Sequence, residues 1–393
     1  MQISSPVSKK LRILLNPLWA VPIVILARLV RPFWRINFIQ LRSDRAGHFI
    51  PDSVELIFSQ YARSTNIYFM NQIVCNTYWA QKISKKIMIF DTMFSDICKW
   101  NKFIPGEKFN TIYVENSKKS VLDNFAKTQT FFDFTNIENL NAKKFLGTYG
   151  WKDDEPFICF LNRDDSYLNS TQPHLNWDYH RFRNSNIQDY ESAIKWIADQ
   201  GIWILRMGQI QSAELKITHP KVIDYAFSKN KSNFLDIWLF ANASGCISNS
   251  SGPDWVSIIY GVPQLFLNYL PMAELVGRSK CIVFPKKLAW TKNHEPLTLR
   301  EILQNHHFEK NFYDEAGITI SDLSSNEIKN AFQEFYHLIF PAKSRLELAD
   351  PRIELFFTII RQWEGYSRII GYNSPKGIPS KSWLDQQNSR FFG

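Results

Sequence analysis

The sequence predicts an α/β protein of two domains built on parallel, doubly wound sheets. Two observations carry that expectation. Apolar runs of strand length alternate with helix-length stretches along most of the chain, the order that specifies a parallel sheet with helices on its faces. The 393 residues exceed one ordinary core and suit two. Composition agrees with a folded chain: 45% apolar and 21% charged, with 31 Phe and 13 Trp as core material and no low-complexity tract.

The elements follow in order. Residues 1–35 form a basic, apolar segment. RINFIQLR reads as the first strand, a loop follows at 43–48, and Pro51 beside Asp52 signals a helix over 52–60. IYFMN and KKIMIFD read as further strands around a helix near 76–83. These make a first domain over 36–145. A second domain, 146–335, opens with the strand FICFL. Asn186 caps a helix that carries Ile187, Tyr190, Ile194 and Ile197 along one face, and Gly201 closes it. IWILR completes a βαβ unit, and alternation continues through VIDYA, FLDIWLFANA, GCIS, DWVSIIYG and PQLFLN. Residues 336–393 hold C-terminal helices and, from 371, an extended polar tail.

Charge is concentrated rather than spread. The formal net charge is +9, yet six of the basic residues (Lys9, Lys10, Arg12, Arg28, Arg31, Arg35) fall in the first 40 positions, which hold no acid. The rest carries 40 basic and 37 acidic side chains. A nearly neutral body argues against a nucleic-acid partner. The apolar run between Arg12 and Arg28 reaches about 22 Å as a helix, short of the ~30 Å hydrocarbon core. Pro17 and Pro22 interrupt it, and Arg28 and Arg31 stand where a signal-peptide cleavage site would be. Three readings remain: an anchor lying on anionic lipid, a helix packed on the protein's own core, and a tilted span. The first is the expectation, with the protein cytoplasmic and peripheral at the inner face of the cell membrane. Five scattered cysteines without a CxxC fit a reducing compartment and no structural metal.

Function is written at the strand exits, because ligands of open α/β sheets bind beyond the carboxyl ends of the strands. FICFL stops at Asn162-Arg163-Asp164, IWILR at Arg206 with Gly208 two residues on, and GCIS opens into Ser248-Asn249-Ser250-Ser251-Gly252. Arginine offers a fixed fork to phosphate oxygens, and a Ser/Gly loop before a helix offers N–H groups to an anion. The expected donor and phosphate ligands are therefore Arg163, Arg183 (from the cluster His180-Arg181-Phe182-Arg183), Arg206, Gly208, Asp224, Ser250, Ser251 and Gly252. Arg206 has a structural alternative, pairing with Asp224 or Asp236. Lys286 and Lys287 are lesser candidates for a phosphate contact. The absence of GxxxxGK[ST] and GxGxxG disfavours ATP-hydrolysing and nicotinamide enzymes. In the first domain, Arg45-Ala46-Gly47-His48 lies at a strand exit, and His48, Asp44 or Asp52 would be the base that deprotonates an acceptor hydroxyl.

RAGHFIPDSVEL, CNTYWAQK, FLNRDDSYL, the FRNSNI…Y…AI…G…LRMG block, SNSSG and GVPQLFLNYLP occur in one order over about residues 30–340. Together they resemble a family of bacterial glycosyltransferases from surface-polysaccharide gene clusters. The resemblance implies the GT-B arrangement, two Rossmann-like domains facing across a cleft, with a nucleotide-sugar donor on the C-terminal one. It implies a hexosyl- or deoxyhexosyltransferase, free of cofactor and metal, acting on a lipid-linked or surface-glycan acceptor. Transfer of a polyol-phosphate and a non-catalytic nucleotide-sugar or glycan-binding subunit stand as alternatives.

Overall fold

The computed structural model describes residues 6–58, 64–71, 73–90, 96–112, 132–171, 173, 176–273, 281–307, 309–341, 350–366 and 377–393, without the side chains of 6–15, 179 and 180. It divides into two compact units, Met1–Val121 and Leu122–Gly393. That division falls ahead of the 145/146 boundary read from sequence.

The first unit runs α1 (Pro6–Val30), β1 (Arg35–Leu41), α2 (Ala46–Phe58), β2 (Ser64–Met70), α3 (Thr77–Ser84), β3 (Ile89–Phe90) and α4 (Asp96–Phe103). The strands form a parallel sheet in the order β1-β2-β3. Thr111 bridges to Phe38 on the free side of β1. α1 buries Ala20, Val24 and Ala27 against Phe38, Phe69, Ile97 and Cys98. α3 starts where expected, with Asn76 Oδ1 accepting from the Trp79 amide at 2.7 Å. α2 does not. It begins at Ala46, because the Arg45 carbonyl already accepts from the His48 and Phe49 amides at 3.1 and 2.9 Å. Pro51 is buried inside this helix rather than at its start, and His48 sits in its first turn instead of in the preceding loop.

The second unit runs α5 (Asn136–Gly147), β4 (Phe157–Leu161), α6 (Ser166–Thr171), α7 (Glu191–Asp199), β5 (Trp203–Arg206), β6 (Val222–Ile223), α8 (Asn233–Asn242), β7 (Gly245–Ser248), α9 (Asp254–Tyr260), β8 (Gln264–Tyr269), β9 (Cys281–Pro285), β10 (Lys287–Trp290), α10 (Leu299–Gln304), α11 (Lys310–Glu315), β11 (Ile318–Ser321), α12 (Ser325–Ile339), α13 (Pro351–Gln362), β12 (Gly377–Pro379) and α14 (Lys381–Leu384). Seven parallel strands form its sheet, in the order β12-β9-β8-β7-β4-β5-β6. β4, β5, β7, β8 and β9 are buried along their whole lengths, as strands covered on both faces must be. Both units are thus α/β with parallel sheets, as expected.

The order contains one reversal. From β4 the chain builds outward through β5 and β6, then returns to place β7 on the other side of β4. The exits of β4 and β7 therefore flank the topological switch point, where the crevice of a doubly wound sheet opens.

The C-terminal segment differs from the extended polar tail expected of it. Gly377–Pro379 adds the edge strand β12 to β9, and Trp383, Leu384 and Phe391 are buried. Glu334 of α12 holds the turn. Its carboxylate accepts from Ser380 Oγ at 2.6 Å, the Lys381 amide at 2.8 Å and Ser382 Oγ at 2.8 Å. A single buried carboxylate with that many donors anchors a segment whose own composition is largely polar.

Candidate donor and acceptor sites

At the switch point one side chain joins three loops. Asn249, 2% exposed, follows β7. Its Oδ1 accepts from the Arg163 amide beyond β4 at 2.9 Å. Its Nδ2 donates to the Arg183 carbonyl at 3.1 Å and to Ser185 Oγ at 3.0 Å. Ser185 Oγ also donates to Asn162 Oδ1 at 2.7 Å, and Asn162 Nδ2 donates to the Ser185 carbonyl at 3.0 Å. The network continues inward: Ser185 Oγ lies 2.9 Å from the buried Tyr190 hydroxyl, which accepts from Asn268 Nδ2 at 2.9 Å. Burial pushes the Tyr190 hydroxyl up to about 12, so it stays protonated at neutral pH. Buried amides satisfied on every arm fix loop geometry, because each lost partner leaves a desolvated polar group.

Arg163 and Arg183, both half-buried, are thus brought to one place by Asn249 although 20 residues apart in the chain. The Arg183 guanidinium lies 5.7 Å from the Phe182 ring. Next to them, Lys286 at the end of β9 is buried, donates to the Asn184 carbonyl at 3.1 Å and pairs with Asp322. Desolvation lowers its pKa, and Asp322 works against that shift. Lys286 is therefore a brace for the 184–185 backbone. Lys287 pairs with Glu327 at 2.7 Å. The His180 side chain lies outside the described residues.

Arg206 is turned inward, contrary to the expected phosphate contact. It is 1% exposed. Its Nη1 donates to the Ala213 carbonyl at 2.6 Å and to Asp224 Oδ2 at 3.3 Å, and its Nη2 to Gln211 Oε1 at 3.0 Å. Asp224 also accepts from the Leu215 amide at 2.9 Å, so its carboxylate is engaged within the protein. The same loop is held from the other side by Asp164, whose Oδ2 accepts from the Ser212 amide at 2.7 Å and from Ser212 Oγ at 2.8 Å. Gly208 has φ +147°, and a Cβ there would stand 2.7 Å from the Gln211 side chain. It serves the fold of this loop.

The 248–252 loop is partly committed as well. Ser250 adopts φ +60°, and the Ser251 amide donates to Asp254 Oδ2 at 2.8 Å. Ser248 Oγ donates to the same oxygen at 2.8 Å. The buried Asp254 carboxylate thus takes the Ser251 amide that an anion was expected to receive.

In the first unit the β1 exit holds Asp44, Arg45 and His48. Asn71 Nδ2, beyond β2, donates to Asp44 Oδ1 at 2.8 Å, and Arg45 Nε lies 3.4 Å from Asp44 Oδ2. Ser43 Oγ donates to the Ile73 carbonyl at 2.8 Å and accepts from the Asn71 amide at 2.9 Å, tying the two exits together. Asp52 is 3% exposed, its Oδ2 accepts from Arg42 Nε at 2.8 Å, and Arg42 Nη2 lies at ion-pair distance, also 2.8 Å. The Asp52 carboxylate is thus buried and engaged by Arg42. Asp44 and His48 are the half-buried pair left at this edge. Among the described residues no group of three or more His, Cys, Asp and Glu gathers to hold a metal ion.

Asn249, Asn162 and Ser185 escaped the sequence reading as site residues. For Asn162 and Asn249 a signal was present, a polar side chain directly following a buried strand, whereas Ser185 follows the 3-10 turn 178–183.

No family model and no curated protein matches the chain. Among solved structures it is similar to the glycosyl transferase family 9 protein from Veillonella parvula DSM 2008, at 13% identity and a TM-score of 0.45, over 77% of this chain and 97% of that one. It is also similar to E. coli ADP-heptose lps heptosyltransferase II, at 10% identity and a TM-score of 0.42, over 79% and 100%. CalG4, the calicheamicin glycosyltransferase, matches at 10% identity and a TM-score of 0.29, over 82% and 98%.

Proposed function

We propose that the protein is a glycosyltransferase of the GT-B kind, moving a sugar from a nucleoside diphosphate donor to a lipid-linked glycan precursor, without a bound metal, at the cytoplasmic face of a membrane. The observation that carries the reading is the Asn249 bridge at the switch point, which anchors the backbones of Arg163 and Arg183 side by side. Two arginines anchored at the carboxyl ends of β4 and β7 suit a leaving diphosphate, which develops negative charge as the glycosidic bond breaks. Arg206 and Asp224 act as positioning residues that hold the adjoining 209–215 loop. Ser250 and Gly252 remain the candidates for backbone contacts. The acceptor hydroxyl loses its proton to His48 or Asp44 at the β1 exit of the first unit.

The test is transfer itself. Purified protein is incubated with each common radiolabelled nucleotide sugar and a bacterial lipid extract. Label appearing in the organic phase, dependent on Arg163 and Arg183, is the expected result. Donor binding without any labelled product would instead favour a non-catalytic nucleotide-sugar-binding subunit.

A further inference from the structure

The first unit carries an apolar surface larger than its own core requires. While Ala20, Val24 and Ala27 of α1 face inward, Leu18, Ile25 and Leu29 recur at helical spacing on another side and are exposed, Leu29 at 69%. Phe33, just beyond the helix, is 83% exposed. α4 packs against α1 and ends in Phe103, which is 69% exposed. Arg28 ties the ends of the two helices, donating from Nη2 to Asn101 Oδ1 at 2.6 Å and from Nε to the Pro105 carbonyl at 3.3 Å.

Cations predominate around this surface. Arg31 and Lys108 flank the Phe109 ring at 3.7 and 5.7 Å, and Lys99 and Lys102 are exposed on α4. α1 holds no acid, Asp96 accepts from Asn16, and Glu107 is half-buried. Large exposed apolar side chains rimmed by charge mark an interaction surface, and a predominantly cationic rim selects an anionic partner. No helix among the described residues is long and apolar enough to cross a membrane.

We infer that α1 and α4 together form a docking face for an anionic phospholipid bilayer. Leu18, Ile25, Leu29, Phe33 and Phe103 enter the boundary between headgroups and acyl chains, and the four cations meet the lipid phosphates. The inference rests on the membrane-surface part of the proposed function and adds α4 to the N-terminal segment, but it does not depend on the donor.

The test is co-sedimentation of the full chain with vesicles of phosphatidylcholine alone and of phosphatidylcholine mixed with phosphatidylglycerol. Binding is expected only to the mixed vesicles, weakening as salt rises. Two variants, Leu29→Glu with Phe33→Glu and Lys102→Glu with Phe103→Glu, should each lower the bound fraction about tenfold, with circular dichroism and nucleotide binding unchanged. Full binding by the α4 variant would overturn the two-helix face. Equal binding to neutral vesicles would overturn the anionic partner. Concentration-dependent dimers in sedimentation velocity, abolished by the same variants, would assign the face to a second copy of the chain. Loss of nucleotide binding with vesicle binding intact would count against glycosyl transfer and leave the docking face standing.

Discussion

Arg206→Ala is expected to lower the unfolding free energy by about 3 kcal/mol, toward the low end of what removing one partner of a buried pair costs. The change would strip the Ala213 carbonyl and Gln211 of their donor and leave Asp224 accepting from the Leu215 amide. The Asp224 side chain is 20% exposed, so water offsets part of the loss. Arg206→Lys should recover only part of it, because an ammonium cannot reproduce the three-acceptor fork. Urea denaturation of the two variants and the parent checks this. An unchanged midpoint for Arg206→Ala would show that the inward pairing contributes nothing and would return Arg206 to the ligand side.

Asn249→Ala should affect both stability and binding. It leaves the Arg163 amide and the Arg183 carbonyl without their partner, at about 1–3 kcal/mol for each buried group that stays unsatisfied. Donor affinity should fall at least about tenfold, since both arginines lose the anchor that sets their positions. Asn249→Asp separates the two effects. It keeps an acceptor for the Arg163 amide but opposes two acceptors at Arg183 and adds negative charge beside the proposed diphosphate. It should therefore retain more stability than the alanine variant and bind donor no better. Denaturation midpoints with calorimetric titration of the folded variants decide the matter, and an Asn249→Asp variant with parental affinity would contradict the placement.

Much of the second unit was legible because a parallel sheet covered on both faces writes its strands as apolar runs. FICFL, WILR and GCIS are strands with every residue buried, and their polar exits fall where the apolar letters stop. Strand order was not legible. That β7 pairs with β4 rather than with its sequence neighbour β6 is a long-range choice without a local signature, and it alone creates the switch point. The direction of Arg206 was hidden for a related reason. A strand buried on both sides can bury even its last residue, and the partner that allows this, Asp224, is 18 positions away. His48 was misplaced onto a loop because Pro51 beside Asp52 reads as a helix start, whereas the Arg45 carbonyl starts α2 at Ala46, six residues before Asp52. The C-terminal segment reads as polar because its attachment depends on Glu334, on a different helix.

The most direct test of the central claim is calorimetric titration of the purified chain with UDP, GDP, ADP and CDP, repeated on Arg163→Ala with Arg183→Ala. A hydrogen bond to a charged group is worth about 1.5–3 kcal/mol, so losing both forks should weaken binding by about a hundredfold or more. One of these diphosphates is expected to bind the parent, and the double variant to lose it. A diphosphate bound equally well by both proteins, or none bound by the parent, would contradict a donor site at the β4–β7 switch point.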